Sequence, residues 1–345
     1  MKLLFEPTIL SQVLKLSSLS VLSFVAAIAV TPIFTHFAYK HQFWKKMRKT
    51  GWINKDQQTP VYNSLHSKKH NRHIPTGAGV IIWGVVLIIT LIFNFDRSQT
   101  WLPLFTLVSV GLLGFIDDII NTRSNGGVAG ISSRIKMLWL VTIALIASFW
   151  FFFKLDYNAI FVPMVGDVTI EWLYIPLFIL VFISSANAVN ITDGLDGLSG
   201  GLLASSFFAF LILAFFQGNY GIAIFCGCIL GAVLAYTWFN IYPARFFMGD
   251  TGAVSLGATL GVIAMLTNSA LVLPIIGFIF VIETLSVIIQ LLSKKLRNGK
   301  KVFLSAPLHH HLEAKGWPET KVTMRFWVIG AIAAVTGVLF RLLGS

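Results

Sequence analysis

The chain contains two long apolar stretches, SGGLLASSFFAFLILAFF (199–216) and GIAIFCGCILGAVLAYTWFN (221–240), with only four residues between them. Neither stretch carries a charged side chain, and each is long enough to cross a hydrocarbon core of roughly 30 Å as an α-helix. A helix is favoured in lipid because it satisfies its backbone hydrogen bonds internally. The two stretches therefore predict a pair of transmembrane helices joined by a short turn.

Similar apolar stretches recur along the chain, which is 56% hydrophobic and only 12% charged. We predict an all-α polytopic membrane protein with about ten transmembrane helices in a single domain, residues 1–345. A single helix over 252–293 would be roughly 60 Å long, so we divide it at Asn268-Ser269. The predicted spans are 17–39, 77–95, 100–116, 135–154, 172–188, 199–216, 221–240, 252–267, 270–293 and 325–342.

Basic residues are concentrated on one side of this predicted bundle. With ten spans, that side holds nine Lys and Arg in 40–76, eight in 294–325, three in 117–136, and Arg245, which is 21 of the 26 in the chain. The positive-inside rule makes this side cytoplasmic. Both termini are therefore predicted to be extracytoplasmic, with the active site on the cytoplasmic loops.

Five aspartates form three short acidic segments where predicted spans end. They are Asp117-Asp118, Asp193 with Asp196, and Asp250. A carboxylate at the centre of a membrane helix costs roughly 3 kcal/mol, so such residues need a partner or a function. In the predicted topology all three segments face the cytoplasm. The adjacent pair taken alone would also fit a solvated helix end.

The most specific acidic segment is NAVNITDGLDGL (187–198). Its amide and acid side chains recur every third position, at Asn187, Asn190, Asp193 and Asp196. A helical or 3₁₀ path would place them on one face. Such oxygen donors suit Mg²⁺, which takes one or two protein oxygens and completes its shell with substrate phosphate and water. A polar turn with Asx caps would explain one or two of these residues but not four.

Other polar positions have less specific patterns. Asp250 fits a metal ligand or a helix N-cap, and Phe247 fits stacking on a base or simple packing. The three histidines of APLHHHLE (306–313) diverge too much to bind one metal. They favour phosphate or nucleotide binding over a hydrated loop attracted to anionic lipid. Glu283, inside a predicted span, fits a hydrogen-bonded structural group better than a functional one.

Together these segments resemble the polyprenyl-phosphate N-acetylhexosamine-1-phosphate transferase superfamily. The superfamily shares the Asp-Asp pair and the Asn-to-Asp-Gly loop, and the segment 306–313 followed by GWPETKV (316–322) resembles its muramoyl-pentapeptide branch. One departure lies in KKHNRHIPTGAG (68–79), where Pro75, Thr76 and Gly79 match but the flanking residues do not. The resemblance covers most of the chain and is strongest in 111–136, 184–200, 240–257 and 302–327.

The resemblance implies a reaction and a location. The reaction is Mg²⁺-dependent transfer of phospho-N-acetylmuramoyl-pentapeptide from UDP-N-acetylmuramoyl-pentapeptide to undecaprenyl phosphate. Its products are lipid I and UMP, and it belongs to peptidoglycan synthesis. The implied location is the bacterial cytoplasmic (inner) membrane, crossed several times.

The resemblance also implies roles for individual residues. Asp250 is the main Mg²⁺ ligand, with Asn190 as a second. Asp117 deprotonates or positions the lipid phosphate, with Asp118 beside it, and His309 supports the reacting geometry. The residues expected to bind substrate are Asn187, Asn190, Asp193, Gly194, Leu195, Asp196, Phe247, His310, His311 and Thr76.

Two other functions fit parts of the pattern. A sister transferase that uses UDP-N-acetylglucosamine would share the acidic segments but carry a different histidine motif. An ion-coupled transporter would need its acids inside the spans, where only Glu283 lies. The net charge of +12 does not indicate nucleic acid, because the basic residues lie between apolar segments and no RNA-reading motif is present. The expected surroundings are membrane lipid, and a homodimer is compatible with this arrangement.

Overall fold

The computed structural model describes residues 7–44, 73–123 and 130–344. The basic segment 45–72, which includes the first five residues of the divergent stretch 68–79, and residues 124–129 lie outside the described part. In chain order the elements are α1 (Pro7–Lys40), α2 (Gly79–Phe93), α3 (Trp101–Arg123), α4 (Ser133–Phe149) with a π-helical turn (Trp150–Lys154), β1 (Ala159–Val162), β2 (Gly166–Thr169), a 3₁₀ turn (Glu171–Leu173), α5 (Tyr174–Thr192), α6 (Leu198–Phe216), α7 (Tyr220–Asn240), α8 (Gly249–Leu266), α9 (Leu273–Ile276), α10 (Phe278–Leu296), α11 (Leu308–Ala314) and α12 (Glu319–Leu343).

Eight helices in the described ranges are long and apolar enough to cross a membrane, namely α1, α3, α4, α5, α6, α7, α8 and α12. Their outer faces carry exposed large apolar side chains such as Leu180, Trp238 and Ile332, as expected where lipid rather than water surrounds a bundle. The predicted class of helical polytopic membrane protein is confirmed. The helix α2 is apolar but has only 15 residues. Ten crossings and outward termini stay predictions.

The helix α8 lies at the centre of the bundle, where every residue except Val254 is buried. It packs against α2, α3 and α5 through glycines, as membrane helices do when small residues let their backbones approach. A Cβ built on Gly79 would lie 2.7 Å from the Thr251 carbonyl carbon, and one built on Gly257 would lie 2.5 Å from the Ser185 carbonyl oxygen. The first turn of α8, which carries Asp250, is thereby held between α2 and α3.

A two-stranded antiparallel ribbon interrupts the predicted all-α pattern. Ala159 pairs with Thr169 and Val162 with Gly166, between α4 and α5. Four-residue strands are too short to show a period in the sequence, so the prediction missed them. Asn268 ties the ribbon to the bundle, because its Oδ1 accepts the Phe161 N–H at 2.8 Å.

The predicted helix break at Asn268-Ser269 is confirmed, since α8 ends at Leu266 and α9 begins at Leu273. Two other predicted features differ from the structure. The third span does not end at 116, because Ile119 and Ile120 continue an apolar helix to Arg123 and place Asp117 and Asp118 inside it. The histidine segment is not a loop but the short helix α11, whose start after Pro307 follows the preference for Pro at helix N-termini.

Candidate active site

Lys136 joins the first and third acidic segments. Its Nζ lies 2.6 Å from Asp117 Oδ2 and 2.7 Å from Asp250 Oδ2. Asp117 lies near the end of α3, Lys136 in the first turn of α4, and Asp250 in the first turn of α8. Both carboxylates are buried, so each gains from a charged partner. Three helices therefore bring two distant acids to one cationic position.

The carboxylate of Asp117 is fixed by further hydrogen bonds. Its Oδ2 also accepts from Asn121 Nδ2 at 2.7 Å, and its Oδ1 accepts the backbone N–H of Ile131 at 2.6 Å. A buried carboxylate with donors on both oxygens has one stable orientation. The lipid phosphate expected at Asp117 would therefore meet a preorganised group.

Asp118 faces the start of α8 rather than Lys136. Its Oδ2 accepts from the Thr251 backbone N–H at 3.1 Å and from the Thr251 hydroxyl at 2.7 Å. A carboxylate at a helix N-terminus is favoured by the helix dipole and by the unpaired N–H groups there. The N-cap residue of α8 is Met248, so Asp250 is not the N-cap that its sequence context allowed. Asp118 fixes α8 from a neighbouring helix, and its catalytic role stays a prediction.

The segment before α2 pairs with the segment before α8. Phe247 donates its N–H to Pro75 at 2.7 Å and accepts from Ala78 at 3.0 Å. This pairing buries Thr76 beside Gly249, whose φ is +71°, and a Cβ on Gly249 would lie 2.7 Å from Thr76 Oγ1. Thr76 and the half-buried Phe247 therefore lie at the same end of the bundle as Asp250.

The second acidic segment does not follow one helical face. The helix α5 ends at Thr192, so the expected face includes only Asn187 and Asn190, both half-buried. Asp193 and Asp196 lie in the following turn, where each has its own partner. Asp193 Oδ1 accepts from the Ser199 hydroxyl, and Asp196 Oδ2 accepts the Ala244 N–H at 3.0 Å.

The turn that carries Asp196 is held by α12. Glu319 Oε1 accepts the Asp196 N–H at 2.6 Å, and Trp327 Nε1 donates to the Gly197 carbonyl at 3.1 Å. The Gly197 N–H is accepted by Asn240 Oδ1 at 2.9 Å. Gly197 needs to be glycine because its φ is +79°. The backbone around Leu195 and Asp196 is thus positioned by the last long helix of the chain.

His309 is completely buried and links Glu283 to this turn. Its Nδ1 lies 2.9 Å from Glu283 Oε2, and its backbone N–H donates to Glu283 Oε1 at 3.1 Å. Glu283 is therefore a hydrogen-bonded group inside the bundle, as its position predicts. The His309 Nε2 has no hydrogen-bond partner among the described residues and lies against the Cα of Gly194.

The other two histidines point to different partners. His310 Nδ1 lies 2.8 Å from Glu313 Oε2, and His311 Nδ1 accepts the Leu304 N–H at 3.1 Å. Burial, with a smaller effect of the Lys315 charge, lowers the pKa of His311 and favours the neutral ring that can accept this bond. The three histidines have three different hydrogen-bond partners, but the His309 and His310 rings remain in contact, with their centroids 4.1 Å apart. The divergence predicted for all three imidazoles is therefore not observed for this pair.

Comparison with known proteins identifies the family of this arrangement. The model of Glycosyl transferase family 4 matches residues 100–268, which contain all three acidic segments. A phospho-N-acetylmuramoyl-pentapeptide-transferase of a Geobacillus species is 38% identical over 325 residues, or 92% of this chain and 95% of the relative. The chain belongs to the phospho-N-acetylmuramoyl-pentapeptide-transferase family.

Two further members of that family are similar over most of this chain. The one from Anoxybacillus flavithermus is 40% identical over 324 residues, covering 92% of this chain and 95% of the relative. The one from Syntrophus aciditrophicus is 41% identical over 285 residues, covering 76% of this chain and 79% of the relative. The resemblance that the motifs carry is therefore confirmed. Membership in the phospho-N-acetylmuramoyl-pentapeptide-transferase family makes this chain an enzyme rather than a transporter.

Mg²⁺ fits the donor chemistry of this family member. No three His, Cys, Asp or Glu side chains form a ready metal site within the described ranges. Asp117 and Asp250 nevertheless supply hard carboxylate oxygens around one position, which the Lys136 ammonium takes here. Mg²⁺ needs only one or two protein carboxylates when phosphate and water complete its octahedron. Asn190 as a second ligand stays a prediction.

Lys136 is the site residue that sequence reasoning missed. It entered the sequence analysis only as one of the basic residues of 117–136, although it lies inside the predicted span 135–154. An intramembrane cation calls for an acidic partner just as an intramembrane acid calls for a basic one. That rule could have indicated a pairing between Lys136 and the acidic segments.

The contact between Gly194 and His309 leads to a first prediction for this transferase. Gly194→Ala would place a Cβ 2.9 Å from His309 Cε1 and closer still to Nε2, so the buried ring must move. We expect a loss of about 1–3 kcal/mol in unfolding free energy, as for other overpacked sites, and at least about tenfold lower kcat/KM. Thermal unfolding and UMP release would measure both. In a His309→Ala background Gly194→Ala should have little further effect, and an undiminished effect there would contradict the contact.

Proposed function

We propose that this chain transfers phospho-N-acetylmuramoyl-pentapeptide from UDP-N-acetylmuramoyl-pentapeptide to undecaprenyl phosphate, with lipid I and UMP as products. The observation that carries the proposal is the convergence of Asp117 and Asp250 on one cationic position in a member of this family. Phosphoryl transfer depends on such fixed charges more than on covalent catalysis. The bacterial cytoplasmic membrane is the proposed location, and peptidoglycan synthesis the proposed process.

The reaction would be an in-line displacement at phosphorus. An oxygen of the lipid phosphate attacks the β-phosphorus of the sugar nucleotide, and the bond from that phosphorus to the UMP oxygen breaks. Asp117 positions the acceptor phosphate or removes its proton. The Lys136 ammonium offsets negative charge where the phosphates meet, at 20% side-chain exposure and therefore under weaker screening than in bulk water.

Asp250, with Asn190 as a second ligand, would hold Mg²⁺, which supplies charge stabilisation on the pyrophosphate. The residues proposed around the uridine are Asp193, Gly194, Leu195, Asp196 and Phe247. Those proposed for the remaining polar contacts to substrate are Asn187, His310, His311 and Thr76. The Nε2 of His309 has no hydrogen-bond partner among the described residues and lies beside Gly194, in the turn proposed to bind the uridine. This supports a role of His309 in the reacting geometry.

The test is UMP release by the purified full-length protein with Mg²⁺ and undecaprenyl phosphate. One reaction contains UDP-N-acetylmuramoyl-pentapeptide, and the other contains UDP-N-acetylglucosamine. We expect release only with the muramoyl substrate, together with a lipid-linked pyrophosphate product. Release with only the acetylglucosamine substrate would replace the proposed donor by that of the sister transferases. Absence of release with both, from folded protein, would overturn the proposal.

A further inference from the structure

A cavity of about 500 Å³ lies at the opposite end of α3 from the acid pair. Three aromatic side chains, Phe95, Trp101 and Trp150, form its apolar wall, and two cations, Arg97 and Lys154, also line it. Asp117 lies 16 residues further along α3, which corresponds to roughly 24 Å at 1.5 Å per residue. The cavity is therefore separate from the candidate active site.

The aromatic residues place this cavity at a membrane–water boundary. Trp101 is the first residue of α3 and Trp150 begins the π-helical turn that ends α4, and both helices are candidate membrane spans. The two tryptophan residues are 41% and 39% exposed. Trp at both ends of spans is typical of the interfacial belt, where lipid headgroups meet the hydrocarbon. A molecule that fills this cavity would contact both regions.

The two cations give the cavity a positive charge. Neither Arg97 nor Lys154 forms an ion pair or a side-chain hydrogen bond with any residue that the structure describes. The neighbouring Asp96 does not line the cavity, and its carboxylate accepts from the backbone N–H groups of Ser98 at 2.7 Å and Gln99 at 2.9 Å. The Ser98 hydroxyl bond, the main cause, lowers the pKa of Asp96, so its carboxylate stays ionised within its own turn.

We propose that this cavity binds the phosphate headgroup of an anionic phospholipid from the leaflet opposite the active site. The phosphate would lie between Arg97 and Lys154, and the acyl chains would follow the exposed apolar side chains of α4, Ile146 and Phe149. A small soluble anion would gain no apolar contact with the aromatic wall. A zwitterionic lipid brings its own cation into a positive cavity and gains less.

Native mass spectrometry of the full-length protein, titrated with phosphatidylglycerol or phosphatidylcholine, tests this site. We expect the wild type to bind phosphatidylglycerol more tightly. Arg97→Gln with Lys154→Gln should weaken that binding about 25-fold, since each cation near an anionic surface contributes about fivefold. Phosphatidylcholine binding should change little. Lys15→Gln is the matched control, because Lys15 is an exposed cation on α1 outside the cavity.

Three outcomes would overturn the proposal. They are equal phosphatidylglycerol binding by the double variant and the wild type, equal affinity of the wild type for the two lipids, and displacement of phosphatidylglycerol by millimolar inorganic phosphate. The single variants should each lose about fivefold, which keeps the site testable if the double variant is poorly folded. The readout is lipid binding, so its result is independent of the transferase reaction.

Discussion

Asp250→Asn is expected to lower kcat/KM for UMP release by about 10²–10³-fold, because loss of a single preorganised electrostatic group in an active site has an effect of that size. Asparagine has nearly the same shape as aspartate, but it removes the charge that faces Lys136 at 2.7 Å. It would also remove the proposed Mg²⁺ ligand. Lys136 keeps its contact with Asp117, so we expect the bundle to remain folded.

The measurement is steady-state UMP release, with thermal unfolding to show that the variant is folded. Asp156→Asn is the matched control, since Asp156 is an exposed carboxylate in the loop after α4. Its φ of +61° is one that asparagine also adopts readily. Turnover of Asp250→Asn equal to that of the control would remove Asp250 from both the metal and the catalytic assignment.

Gly114→Ala is expected to disturb the site from a distance. A Cβ on Gly114 would lie 2.6 Å from the backbone nitrogen of Thr251 and 2.5 Å from the carbonyl carbon of Asp250. Backbone atoms cannot rotate away as a side chain can, so α3 and α8 must separate. Asp117 and Asp118 lie three and four residues beyond Gly114 and therefore on the same helix face. Both would move away from the first turn of α8.

We expect Gly114→Ala to reduce the free energy of unfolding by about 1–3 kcal/mol and kcat/KM by at least about 10²-fold. Thermal unfolding in detergent and UMP release would measure the two effects. Gly84→Ala is the control, because a Cβ at Gly84 in α2 meets no atom within 4 Å. If the two variants behaved alike, the close approach of α3 and α8 would have no part in positioning the acids.

The helical class could be predicted from the sequence because each apolar stretch has the length that a bilayer requires. The break at Asn268-Ser269 was predictable for the same reason, since an unbroken helix over 252–293 would be about twice too long. The ribbon at 159–169 could not be predicted from strands of four residues. The end of α3 was placed too early because the acids were read as a helix terminus, whereas Lys136 and Thr251 allow them to lie inside the helix.

The sequence predicts the candidate site as a set of residues but not as a geometry. The three acidic segments indicate Asp117, Asp193 and Asp250 as candidates, but they do not indicate which of these residues share a partner. From the sequence, Lys136 could simply extend its amine to the membrane surface. Only the packing of α3, α4 and α8 shows that the amine instead pairs with the carboxylates of Asp117 and Asp250. The partners of Asp196 could not be predicted either, because Glu319 lies 123 residues away along the chain.

The enclosure of α8 determines the direction from which a reactant can arrive. The helices α2, α3 and α5 surround it, and Asp250 in its first turn is only 8% exposed. Since these described helices pack directly along α8, we expect no long hydrocarbon chain to pass between them to the carboxylate. The acceptor would therefore bring its phosphate to the end of the bundle that carries Asp250, while its hydrocarbon tail remains outside the bundle. Discrimination among polyprenyl phosphates, the proposed acceptors, would then depend on the headgroup and the first isoprene units rather than on the total chain length.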